Sequence, residues 1–157
     1  MMTKEEIFNA KVGSLEMYGA LFNIVAKEDG LDKALKMHAA VGVPEGDKMG
    51  KALKEYLAGK KINLTDLNKF MTSSMSGSGL SPEIKEGSKS LTLRFEKCPM
   101  YEGLQKAGLD HKTIQKMCAV MSKAEYNAIN KYYPELEGKV RFRESAKGSC
   151  VEEFIIK

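Results

Sequence analysis

A chain of 157 residues, 43% of them hydrophobic, is long enough to bury one core without disulfides, so we expect a single domain. Its three widely spaced cysteines do not fit the disulfide framework of a small secreted protein, and no stretch has the apolar length of a membrane span. The net charge of +4 comes from lysines interleaved with acids, which argues against a basic stripe for nucleic acid. We therefore predict a cytoplasmic protein with no nucleic-acid or membrane partner.

The first 72 residues have the periodicity of amphipathic helices. Thr3 and Glu6 form a capping-box pattern before a long helix that ends near Gly30. Three further helices are predicted, over 31–40, over 48–58 after a break at the glycine- and proline-containing stretch 42–46, and after a cap at Thr65.

The segment 73–87 is rich in serine and glycine and contains a proline, which predicts a flexible loop. Beyond it, apolar and polar residues alternate over 91–95, as in a half-buried strand. The remaining predicted elements are a short helix from Pro99, a longer helix over 111–132 capped by Asp110, and a terminal hairpin of strands 140–144 and 150–156.

Together these elements predict one α+β domain over residues 1–157. Its helical half, residues 1–72, packs with a small antiparallel sheet formed by the C-terminal half, residues 88–157. All three cysteines lie in that second half, so we expect any concentrated chemistry there.

Cys98 has the position best suited to an activated thiol. It leaves a predicted strand and precedes Pro99, a residue type favoured at the first helical position, so it would occupy the N-cap. The helix dipole and free N–H groups there favour a thiolate and would lower the pKa from about 8.5. Cys118 lies mid-helix among apolar residues, which is typical of core packing, and Cys150 begins the last strand.

The spacing of the cysteines, with 19 and 31 intervening residues, matches no zinc-finger pattern. Their thiolates could still meet in the fold and bind Zn²⁺ or an iron–sulfur cluster with an open coordination position. His111 is on the same helix face as Cys118, but about 10 Å of helix rise separates the two, so we do not expect them to share an ion. The plainer alternative is that each cysteine packs as a small apolar residue.

The C-terminal half carries local patterns that together resemble a known family. They are Cys-Pro-Met-Tyr-Glu at 98–102, Cys118, Tyr-Pro at 133–134, and Gly-Ser-Cys at 148–150 leading into Phe154. Over about residues 88–157 the chain resembles the L-2-amino-thiazoline-4-carboxylic acid hydrolase family. More distantly, it is similar to the vinyl-4-reductase type of small-molecule-binding domain.

The first resemblance implies a hydrolase-like enzyme that cleaves a C–N or C–S bond in a small heterocycle containing sulfur and nitrogen. In this hypothesis Cys98 is the thiolate nucleophile, Glu102 relays a proton, and Arg94 or Arg143 holds a substrate carboxylate. In a metal-dependent variant, the three cysteines bind an ion that activates water.

A second hypothesis belongs to another class of protein. Ten methionines in a chain of this length could line a cavity for an apolar small molecule, with the cysteines gating it or sensing oxidation. Such a domain binds a ligand without turnover. A third hypothesis is that the cysteines only pack and that the chain functions as a homodimer through its N-terminal helices.

Overall fold

The computed structural model describes residues 2–157, which form five helices and a four-stranded sheet. The helices are α1 (Lys4–Asp29), α2 (Leu31–Leu57), α3 (Leu64–Gly77), α4 (Pro99–Lys106) and α5 (His111–Ile129). The antiparallel strands, in the spatial order β1-β2-β4-β3, are β1 (Glu83–Glu86), β2 (Ser90–Phe95), β3 (Leu136–Arg141) and β4 (Cys150–Ile156). None of these helices has both the length and the hydropathy needed to cross a membrane. The predicted α+β class, with N-terminal helices and a C-terminal sheet, is confirmed.

Local sequence signals set several helix starts. The Thr3 hydroxyl accepts a hydrogen bond from the Glu6 N–H, and the Glu6 carboxylate accepts one from the Thr3 N–H, so the predicted capping box is present. Asp110 caps α5 as predicted. The cap of α3 is Asn63 and not Thr65, because Asn63 has the extended backbone of an N-cap whereas Thr65 is already helical.

The predicted break at 42–46 is wrong, since α2 is one helix that continues through Pro44. A proline inside a helix removes a hydrogen bond and costs about 3 kcal/mol. Packing against α5 offsets this cost. Gly42, Gly46 and Gly50 recur every four residues along one face of α2, and a Cβ atom at any of them would collide with α5 or with the turn that follows it. These glycines permit close approach of the two helix backbones. The sequence pattern had instead suggested that they end a helix.

The segment 73–87, predicted as a flexible loop, contains regular structure at both ends. Helix α3 continues to Gly77, and β1 occupies Glu83–Glu86, where it pairs with β2. Strand β1 is a mostly exposed edge strand, so it lacks the alternation of apolar residues that would reveal it in the sequence. Its backbone hydrogen bonds to β2 hold it in place.

The predicted terminal hairpin is present, although its first strand begins earlier, at Leu136. Strand β4 lies in the interior of the sheet, between β3 and β2. In its pairing with β2, Cys150 lies opposite Phe95, three residues before Cys98. The pairing of β4 with β2 therefore brings Cys150 toward the start of α4.

Two hydrophobic clusters form the interior. The first lies between α2, α3 and the sheet and includes Leu53, Phe70, Leu91 and Phe154. The second lies among α1, α2, α4 and α5 and includes Phe22, Leu104 and Ile114. Cys150 packs against the first cluster, whereas Cys98 and Cys118 pack against the second. The three cysteines thus border different parts of the interior.

The contact between α2 and α5 predicts the effect of one methyl group. Gly46→Ala should lower the free energy of unfolding by about 2 kcal/mol, because the new Cβ overlaps the Glu125 carbonyl oxygen. Urea unfolding measures this change. Gly13, in α1, has no atom within 4 Å of its Cβ position, so Gly13→Ala is the control and should stabilise by about 0.5–1 kcal/mol. An unchanged stability of Gly46→Ala would contradict backbone contact between the two helices.

Candidate functional site

A cavity of about 410 Å³ is bordered by residues of both hydrophobic clusters. All five helices and strands β2, β3 and β4 contribute to its wall. The sulfur-containing side chains in the wall are Cys98, Cys118, Cys150, Met49, Met75, Met100 and Met121. The structure therefore brings the three predicted cysteines to one cavity, whose volume is in the usual range for small-molecule pockets.

Helix α5 presents one face to this cavity. Cys118, Met121, Ser122 and Glu125 are spaced at three, four and seven residues, so they fall on the same side of the helix, and all four line the wall. The Glu125 backbone lies against Gly46 of α2. Close packing of α2 and α5 thus fixes the position of Glu125 at the end of this helix face.

Strand β4 supplies the opposite part of the wall. Cys150 and Glu152 are two residues apart and so lie on one face of the strand, together with the buried Phe154. Glu152 is paired with Leu93, which is 0% exposed. A glutamate therefore occupies a position on the core-facing side of the sheet.

Cys98 is at the N-cap of α4, directly before Pro99 as predicted, but its thiol makes no capping hydrogen bond. The predicted lowering of its pKa is wrong. Burial raises the pKa of Cys98, and the nearby backbone N–H groups of Tyr101 and Met100 and the charge of Arg143 reduce this increase without reversing it. Loss of solvent is thus the larger effect at this helix start, and the thiol is protonated at neutral pH.

Cys118 is protonated for the same reason. Burial, followed by repulsion from the charges that Cys98 and Cys150 would carry as thiolates, raises the pKa of Cys118 to about 12. At pH 7 about one such thiol in 10⁵ is ionised. Its Sγ lies 4.0 Å from the Met100 Sδ, so the two sulfur atoms are in contact. Near Cys118 and Met100 the cavity wall is therefore polarizable and uncharged.

The side-chain geometry gives no support to the predicted Zn²⁺ or iron–sulfur site. Within residues 2–157, no group of three or more His, Cys, Asp and Glu side chains is arranged to hold a metal ion. The three cysteines share a cavity without forming a coordination sphere. His111 is engaged elsewhere, with its Nδ1 2.9 Å from the Tyr101 hydroxyl. The metal site therefore stays a prediction.

Two predicted site residues, Arg94 and Glu102, line a different cavity, a surface groove of about 610 Å³. The Arg94 side chain is exposed, and its Nε donates a hydrogen bond to the Ser149 hydroxyl at 3.1 Å. Neither residue is part of the wall that the cysteines line. The structure therefore does not place Arg94 or Glu102 in the cavity that Cys98 lines, as their predicted roles would require.

Arg143 is buried and already engaged. Its guanidinium carbon lies 4.5 Å from the centre of the Tyr101 ring, and its Nη2 donates to the Glu96 carbonyl oxygen at 3.2 Å. Its Nη1 donates to the Ala146 carbonyl at 3.4 Å. These contacts tie the connection between β3 and β4 to the start of α4, and they leave the guanidinium outside the residues that line the cavity.

The sequence analysis missed the two carboxyl groups of the site, those of Glu125 and Glu152. Burial, followed by the charges of Glu152 and Glu45, raises the pKa of Glu125 to about 7. Burial alone raises the pKa of Glu152 to about 7. Two signals could have identified them: the seven-residue step from Cys118 to Glu125, and the two-residue step from Cys150 to Glu152.

Comparisons with known proteins leave the family open. The chain matches no protein-family model, and no curated protein matches it. The resemblance to the thiazoline hydrolase family therefore stays a prediction.

The thiols should react slowly at neutral pH. We expect iodoacetamide to modify Cys98 and Cys118 at least tenfold more slowly than free cysteine at pH 7, with rates that continue to rise above pH 9, because burial raises both pKa values. Mass spectrometry of digested protein assigns each rate, and protein unfolded in urea is the reference. If Cys98 reacts faster than free cysteine, the hypothesis of an activated thiolate at Cys98 would be supported instead.

Replacing Glu152 should change the pH dependence of stability. A carboxyl group whose pKa rises from 4.5 to about 7 on folding holds its proton more tightly in the folded chain, so its contribution to stability decreases as pH rises from 4.5 to 7. Glu152→Gln should therefore be more stable than the wild type by on the order of 2 kcal/mol at pH 8, and by little at pH 4.5.

Unfolding in urea at several pH values measures the difference between the two proteins. Glu153→Gln is the matched control, because Glu153 is the next residue along β4 and lies on its opposite face. Equal pH profiles for the wild type and Glu152→Gln would show that the carboxyl is not buried in the folded protein.

Proposed function

We propose that the domain binds a small, largely apolar molecule in the cavity lined by the three cysteines. The observation that carries this proposal is the wall itself, where four methionines and three cysteines surround about 410 Å³ between two hydrophobic clusters. The space is partly open to solvent, so a ligand can enter it. Small-molecule pockets have this volume and this mostly apolar lining.

The sulfur atoms suit a binding role. Thioethers are flexible and polarizable, so methionines adapt to the shape of an apolar ligand. The raised pKa values of Cys98 and Cys118 keep their thiols neutral, and neutral thiols behave as small apolar groups with a weak hydrogen-bond donor. These properties favour reversible binding over attack by a thiolate.

One observation favours a second candidate, the hydrolase-like enzyme. Glu125 and Glu152, with pKa values of about 7, share the wall with the cysteines and could accept a thiol proton at neutral pH. The thiolate formed in the presence of substrate would then attack a ring carbon, and a ring C–N or C–S bond would break as the leaving atom takes the proton from the glutamic acid. Water would then hydrolyse the bond to Cys98 and restore the thiol. Turnover of 2-amino-thiazoline-4-carboxylate that is lost in Cys98→Ser would establish this candidate.

The binding function predicts a saturable site for an uncharged apolar probe. N-phenyl-1-naphthylamine, which becomes fluorescent in apolar surroundings, should bind at one molecule per chain. Val140→Trp should weaken binding at least tenfold, because residue 140 lines the cavity and the larger side chain fills part of it. A fluorescence titration measures both proteins.

Lys139→Trp is the control, since residue 139 is the neighbour on the opposite face of β3 and does not line the cavity. Probe occupancy should also protect Cys118 from iodoacetamide. Absence of saturable binding, or binding that survives Val140→Trp unchanged, would contradict the proposal.

A further inference from the structure

Among residues 2–157, the two carboxyl groups in the cavity have no salt-bridge partner. Glu152 is a part-buried side chain that lines the cavity from the core-facing side of β4, and burial is the single cause of its shifted pKa. For Glu125 the causes are burial and repulsion from other acids. Both side chains keep part of their surface exposed, so both carboxyls are accessible to a group that enters the cavity.

The other charged residues of the wall do not pair with these two carboxyls. Glu45 adds a third acid, and Lys11 is the one base among the residues that line the cavity. None of the ion pairs in residues 2–157 involves Lys11, Glu125 or Glu152. The two arginines that sequence analysis placed in the site lie outside the wall. The cavity is therefore complementary to positive charge.

We propose that the cavity selects a ligand that carries a protonated basic nitrogen on an apolar body, with Glu125 and Glu152 holding the nitrogen. This inference rests on the proposed binding function and specifies the class of ligand. An ammonium group supplies the hydrogen-bond donors and the opposite charge that the two carboxyls lack. The methionines and thiols contact the apolar remainder. An anionic ligand would meet the carboxyls with like charge.

The same geometry makes binding depend on pH. An ammonium pairs with a carboxylate and not with a carboxylic acid, so affinity should rise between pH 6 and pH 8 as the two carboxyls lose their protons. The titratable groups that face them come from every side: Lys11 of α1, Glu45 of α2, Cys98 at the start of α4, Cys118 and Tyr126 of α5, and Cys150 of β4. Burial raises the pKa of Cys98, Cys118 and Tyr126, so these three stay protonated in that window.

Three probes with one apolar body test the inference: 4-phenylbutylamine, 4-phenylbutanol and 4-phenylbutyrate. In calorimetric titrations at pH 7.5, we expect the amine to bind at least tenfold more tightly than the alcohol, and the carboxylate to bind most weakly. Glu152→Gln should reduce the affinity for the amine about tenfold and leave that for the alcohol within twofold. Glu153→Gln, on the opposite strand face, should change neither.

Glu125→Gln is the second variant and should have the same selective effect on the amine. Equal affinity for amine and alcohol, or an amine preference that both glutamine variants retain, would overturn the charge selectivity and leave the binding function standing. Failure of every probe to bind, including N-phenyl-1-naphthylamine, would overturn both.

Discussion

The close contact between α2 and α5 is the constraint on which the arrangement of the cavity depends. Glycines at 42, 46 and 50 let the two helix backbones approach, so α5 is held at a fixed height along α2. That placement directs Cys118 and Glu125 toward the sheet, where Cys150 and Glu152 face them from β4. The helices meet without filling the space between the two hydrophobic clusters, and the cavity is the result.

The cavity combines thiols and carboxyl groups whose protons are held more tightly than in water because of burial. Desolvation keeps protons on Cys98 and Cys118, and it holds the pKa of Glu125 and Glu152 near 7. Glu125 and Glu152 are therefore mostly protonated at slightly acidic pH and mostly ionised at slightly basic pH, so the charge of the wall depends on pH near neutrality. Proteins often concentrate shifted pKa values of this kind at functional sites.

The sequence predicted the elements whose signals are local. The capping box at Thr3, the N-cap at Cys98 and the alternation in β2 all correspond to the structure. The predictions failed where the local structure or the pKa depends on residues that are distant in the sequence. The stretch around Pro44 stays helical because it packs against α5. Burial raises the pKa of Cys98 by more than the N–H groups at the helix start lower it. That the three cysteines reach one cavity depends on packing that spacing along the chain does not encode.

The glycine row of α2 and the lining of the cavity differ in how much change they tolerate. A substitution at Gly46 alters the distance between two backbones, whereas an exchange among methionine, leucine and cysteine in the wall alters the shape of the cavity and the side-chain packing at its edge. As the sequence of such a scaffold diverges, the glycines at every fourth residue of α2 would thus be retained, whereas the acidic residues at 125 and 152 could be replaced. The glycine period would then mark the fold, and the residues at 125 and 152 would mark the charge of the ligand.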